Sequence, residues 1–65
     1  MLIQVNGDNR TVTARTVLDL VREMGFDPRK VAVERNLAIV PRSMHGETRL
    51  TEGDRIELVQ FVGGG

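Results

Sequence analysis

The sequence predicts an α+β domain in which a mixed sheet of four to five strands packs on one helix, in the order β-β-α-β-β-β. Three observations predict it. Two alternating segments flank Asn6-Gly7, helical spacing takes over from Thr16 to Gly25, and short apolar runs then return and end with residues 55–62. The helical segment is too short a crossover for a doubly wound sheet. Since hairpin, helix and closing strand each present one apolar face, a single helix laid across a single sheet is the economical way to bury all three.

Residues 1–5 place Met1, Ile3 and Val5 on one face at period two, the spacing of a half-buried strand. Asn6-Gly7 suits the two positive φ angles of a tight hairpin turn, and Asp8-Asn9 could extend the loop to four residues. Residues 10–14 alternate again, with Val12 and Ala14 facing one way and two threonines the other. At Thr16 the period changes. Val17, Leu20, Val21 and Met24 fall at i, i+3, i+4 and i+7. Thr16 with Asp19 resembles a capping box closed by a shorter acid than usual, and Gly25 supplies a left-handed stop. A helix of about nine residues does not persist alone, so its stripe is expected against the hairpin's inner face, flanked by Leu18 and Phe26.

Asp27-Pro28 suits the start of a single helical turn. Residues 31–34 and 37–40 read as short strands around an Arg35-Asn36 reversal, with Pro41 ending the second or marking it as an edge. Residues 42–51 show no clear period; Ser43 is a candidate cap for a short turn and Leu50 a candidate buried anchor. Glu52-Gly53-Asp54 reads as a turn before the longest strand-like run, residues 55–62. The period of that run breaks at Leu58-Val59. Ile56 and Leu58 can face the core while Val59 and Phe61 point the other way, as apolar groups with no obvious use inside the domain. One helix across such a mixed sheet is the β-grasp arrangement, with residues 1–62 as the domain and 63–65 as a flexible glycine tail.

Composition narrows the chemistry. Sixty-five residues hold one small domain, which buries only about 60% of the surface its unfolded chain exposes. There is no cysteine, tryptophan or tyrosine, one histidine, and a formal net charge of zero. Disulfides, thiolate nucleophiles and zinc fingers are excluded, and a lone His45 does not make the usual zinc ligand set. Neutrality without stacking aromatics argues against a nucleic-acid partner. No apolar run approaches the ~18 residues of a membrane span, and no leader pattern opens the chain, so no membrane partner is expected and the expected location is the cytoplasm. His45 is expected to be exposed in its loop. Ser43 lacks the Gly-x-Ser-x-Gly frame of a nucleophile elbow, and Lys30, the one lysine, lacks the glycine loop of a phosphate site. The acidic residues read as solvated surface. No catalytic side chain, metal site or bound cofactor is expected.

Gly63-Gly64-Gly65 stands apart. A glycine run at a chain end is usually a linker or a frayed terminus. Here it abuts an apolar strand with no polar spacer, carries no affinity-tag residues, and holds three of the chain's seven glycines. Glycine lets a narrow channel close on the backbone because no Cβ intrudes, and three extended residues reach about 10 Å. Such a tail would deliver the Gly65 carboxylate into another protein's active site. A carboxylate resists nucleophilic attack until it is activated, most naturally as a mixed anhydride made by an adenylating enzyme with ATP.

The blocks Val31-Ala32-Val33-Glu34-Arg35-Asn36, Ile39-Val40-Pro41-Arg42, Gly53-Asp54-Arg55-Ile56-Glu57 and Phe61-Val62-Gly63-Gly64-Gly65 resemble the ThiS-like family, the sulfur carriers of thiamine biosynthesis with a ubiquitin-like β-grasp fold. The resemblance covers essentially the whole chain. It implies that an E1-like, ThiF-like partner adenylates the Gly65 carboxylate and that sulfur from a cysteine-derived persulfide, supplied by a donor such as a cysteine desulfurase, displaces AMP. The resulting thiocarboxylate would then donate sulfur to a ThiG-like thiazole synthase. On this reading the chain is a carrier and co-substrate, not an enzyme, and a monomer on its own. Val59, Phe61, Val62 and Val40, with Arg42 as a polar neighbour, are the expected partner surface. A carrier for molybdopterin or another sulfur acceptor, and a ubiquitin-like binding module or tag, are the alternatives.

Overall fold

Asn6 and Gly7 both take positive φ, 50° and 86°, and reverse the chain in two residues. β1 (Leu2–Val5) therefore pairs antiparallel with β2 (Asp8–Thr11), Val5 opposite Asp8, and the four-residue loop is not used. The computed structural model describes residues 1–62. Ile3 and Val5 are buried, but Met1, expected beside them, is exposed. Met1 is held by its backbone instead, its amine donating to the Val12 carbonyl and its carbonyl accepting from the Val12 N–H, each at 2.9 Å. Val12 and Ala14 reach the core from extended chain just beyond β2.

Thr16 caps α1 (Val17–Glu23), its Oγ1 accepting the Asp19 N–H at 3.1 Å. The Asp19 carboxylate makes no return bond among the described residues, so half of the capping box forms. The two preceding donors are met by a distant loop: Val17 N–H bonds the Thr48 carbonyl at 2.9 Å and Leu18 N–H the His45 carbonyl at 2.8 Å. The first three N–H groups of the helix are thereby satisfied. At the other end Gly25 sits at φ 83°, and the N–H groups of Gly25 and Phe26 return to the carbonyls of Arg22 and Val21, each at 3.0 Å, the pattern of a Schellman stop. Val17, Leu20 and Val21 are fully buried, with Met24 and Phe26 packed at the margin.

Asp27-Pro28 starts a reverse turn and not a helical one. The Asp27 carboxylate takes the Arg29 N–H and its carbonyl the Lys30 N–H, both at 2.9 Å. β3 (Val31–Arg35) and β4 (Ala38–Val40) are joined by Asn36-Leu37, one residue later than expected, at φ 52° and 72°. The Asn36 side chain fixes that position, its Nδ2 donating to Asp54 Oδ1 at 3.0 Å and its Oδ1 accepting the Arg55 N–H at 2.9 Å. Ser43 does not cap a turn; it lies inside a single 3₁₀ turn (Arg42–Met44) that follows Pro41 and has no side-chain cap. Leu50 is buried as expected, and Gly53 turns at φ 87° into β5 (Arg55–Gln60).

The five strands form one sheet in the order β2-β1-β5-β3-β4. β5 lies at its centre, parallel to β1 and antiparallel to β3. The inward side chains of β1, β3 and β5 join the helix stripe, Val12, Ala14, Val40 and Leu50 in one core cluster.

Two polar side chains expected in solvent are inside. Asp54 is buried, accepting from Arg35 Nε and the Thr51 N–H at 2.8 Å and from Asn36 Nδ2 at 3.0 Å. Burial pushes its carboxyl up, but the bonds from Arg35, Asn36 and Thr51 outweigh that and hold it below the usual carboxylate range. His45 is buried with Nε2 3.0 Å from the Val40 carbonyl, while Nδ1 has no partner. A carbonyl only accepts, so Nε2 carries the hydrogen. His45 thus ties the loop to β4 through its ring and to the helix N-terminus through its own carbonyl.

Candidate functional site

Alternation along β5 sends Ile56 and Leu58 into the core and Arg55, Glu57 and Val59 to the opposite face of the sheet. Val59 is 58% exposed, Phe61 53% and Val62 94%. Register supplies their neighbours: Ala32 lies opposite Val59, Glu34 opposite Glu57, and Ile39 opposite Glu34. Ile39 is 70% exposed. The sheet face turned away from the helix therefore carries exposed apolar side chains at Ile39 of β4 and Val59 of β5, with Phe61 and Val62 exposed on the chain that leaves β5. Beyond β5 the Phe61 N–H still donates to the Lys30 carbonyl at 2.7 Å, so the backbone is held to the sheet as far as Phe61. The expected carrier terminus Gly65 and tail residues Gly63 and Gly64 lie outside the described residues.

Val40 does not belong to this surface. It lies opposite Val33 on the inward side and is buried in the core, so Ile39, its neighbour on β4, takes the outward position. Arg42 opens the 3₁₀ turn as an exposed residue and makes no ion pair among the described residues. Ile39, Glu34 and Glu57 were missed in the sequence. Their only signal is alternation, and it becomes readable once the register of β3, β4 and β5 is known.

Among the described residues of this face no nucleophile stands beside a base. Among the described residues no three His, Cys, Asp or Glu side chains gather to hold a metal ion, and no helix is long and apolar enough to cross a membrane. Two open hollows of about 230 and 250 Å³ lie near Gly53 and Arg55, toward the start of β5. Both fall below the roughly 300 Å³ at which small-molecule sites begin. What the described residues present is an exposed apolar surface of the kind that marks protein contact sites, next in sequence to the glycine run.

One helix gripped by a five-stranded mixed sheet, with the last strand at its centre, defines a ubiquitin-like β-grasp domain. Within that class the chain belongs to the ThiS family, whose model matches residues 3–65. A thiazole synthase of Paramagnetospirillum magneticum is 48% identical over 66 residues, a stretch that covers all of this chain and 20% of that protein. The chain thus spans about a fifth of that relative's length. The sulfur carrier protein ThiS of Bacillus subtilis is 40% identical over 50 residues, covering 77% of this chain and 76% of that one. The crystal structure of a thiamine biosynthesis protein (ThiS) from Geobacter metallireducens is similar with a TM-score of 0.82 at 30% identity, each chain covered in full.

Proposed function

We propose that this domain is a sulfur carrier for the thiazole moiety of thiamine, working in the cytoplasm. The carboxylate of Gly65 is adenylated with ATP by an E1-like, ThiF-like partner; the outer sulfur of a cysteine-derived persulfide displaces AMP to form an acyl disulfide. A reducing thiol cleaves its S–S bond to release the thiocarboxylate and is itself oxidised to a disulfide, and the thiocarboxylate donates its sulfur to a thiazole synthase. The domain binds no cofactor of its own; ATP is the partner's substrate. The observation that carries the reading is the family match, which spans Ile3 to Gly65 and so includes the glycine run. The thiazole synthase that contains a stretch 48% identical to the whole chain favours thiazole over molybdopterin as the destination.

The geometry supplies a reason for a carrier with no reactive side chain. A thiocarboxylate is itself the nucleophile, so the folded part serves as a grip, and Val59, Phe61, Val62 and Ile39 are the apolar surface of that grip. Intact mass spectrometry tests the proposal. Incubation of the 65-residue chain with a ThiF-like enzyme, ATP, a persulfide donor and a reducing thiol is expected to exchange one oxygen of the Gly65 carboxylate for sulfur, and a chain lacking Gly65 is expected to remain unchanged. Formation of amide-linked conjugates with no sulfur product would support the tag reading instead. A sulfur product that a thiazole synthase does not consume would redirect the carrier to another acceptor.

A further inference from the structure

On the outward sheet face Glu34 of β3 and Glu57 of β5 stand directly opposite each other. Directly opposed like charges destabilise a sheet, and glutamate is itself a poor strand former, so folding gives no reason for the pair. Among the described residues no cation pairs with it. Arg55 lies one row away on the same face and Lys30 lies next to the chain's exit at Phe61, yet neither comes within 4.0 Å of either carboxylate among the described residues. The pair is bordered by the exposed apolar side chains, Ile39 beside Glu34 in the same row and Val59 one row on.

This juxtaposition constrains what can cover the face. A partner that buries Ile39 and Val59 also takes Glu34 and Glu57 out of water, and a desolvated carboxylate is costly unless a counter-charge and hydrogen bonds replace its hydration. A wholly apolar partner surface is therefore a poor occupant. A planar guanidinium suits two carboxylates on adjacent strands, because its five donors can serve both at once.

Resting on the carrier reading, we propose that the adenylating protein docks on this face and presents a cationic side chain, best an arginine, to Glu34 and Glu57 between apolar contacts on Ile39 and on Val59 and Phe61. Phe61 lies four residue steps beyond Glu57, so that cation sits about 13 Å from the point where the chain leaves the sheet. The acidic pair then sets the register in which the glycine run meets the partner's channel.

The test uses the ThiF-like enzyme of the preceding experiment and follows pyrophosphate release against carrier concentration. The double variant Glu34→Gln with Glu57→Gln is expected to raise KM on the order of tenfold, leave kcat unchanged, and flatten the salt dependence of KM. Its melting temperature is expected to equal or exceed that of the wild type, since a repulsion is removed, so the weaker binding cannot be assigned to unfolding. Glu57→Lys is expected to raise KM further. An unchanged KM and salt dependence in the double variant, with a wild type that is turned over, overturns the acidic-pair proposal and leaves the carrier reading intact. A wild-type chain that is not adenylated at all overturns both.

Discussion

Leu37 holds a left-handed conformation at φ 72° with its side chain 79% exposed. The Asn36-Leu37 turn repeats the geometry of Asn6-Gly7 with a bulky residue where the first turn has none. That conformation costs a non-glycine residue roughly 1–2 kcal/mol, part of which glycine would return through its greater freedom when unfolded. Because the Leu37 side chain has few contacts to lose, Leu37→Gly is expected to stabilise the domain by about 1 kcal/mol. The gain should appear as a higher urea midpoint at unchanged slope, and a lower midpoint would count against it. Asp54 gives a second expectation. Its carboxyl is held below the ordinary value by Arg35, Asn36 and Thr51 in spite of burial. The unfolded chain titrates near pH ~3.9, so the stabilisation is complete above that pH and is lost as pH falls through the folded-state value. Asp54→Asn is expected to cost roughly 1–3 kcal/mol near neutrality and to lose stability less steeply than the wild type below about pH 4. Parallel acid-unfolding curves would show that the carboxylate is not the source.

At the scale of elements, α1 depends on its ends. Seven residues are too few to hold a helix without help, and help comes from the Thr16 cap, the Thr48 and His45 carbonyls and the Gly25 stop. Thr16→Ala is expected to cost about 1 kcal/mol in thermal or urea unfolding, with Thr16→Ser close to neutral; equal losses from both would point to the methyl group instead of the hydroxyl. The helix and the first hairpin were legible because their determinants are local: a cap, a stripe, a stop, an Asn-Gly turn. The second hairpin was displaced by one residue because Leu37 reads as a strand residue, whereas the turn is fixed by Asn36 bonding Asp54 and Arg55, which lie 18 and 19 residues along the chain. The loop from Arg42 to Leu50 was opaque for the same reason. His45, expected in solvent, finds its partners in β4 and at the start of α1, and no window of sequence contains both.

For the whole molecule, the legible part of the site was what a single strand reveals. The break in period at Leu58-Val59 marks Val59 and Phe61 as outward-facing, as found; the glycine run that composition singles out lies outside the described residues. Alternation in one segment does not decide between Val40 and Ile39 for the surface, nor show Glu34 facing Glu57, since both depend on how strands lie beside one another. That arrangement also has a mechanical meaning. β5, which leads to the glycine run, is bonded on both flanks, parallel to β1 and antiparallel to β3. A pull along the chain beyond Phe61 loads both ladders in shear, many bonds together, instead of peeling an edge strand bond by bond. The fold therefore resists such a pull as a stiff anchor that does not unravel from its C-terminal strand.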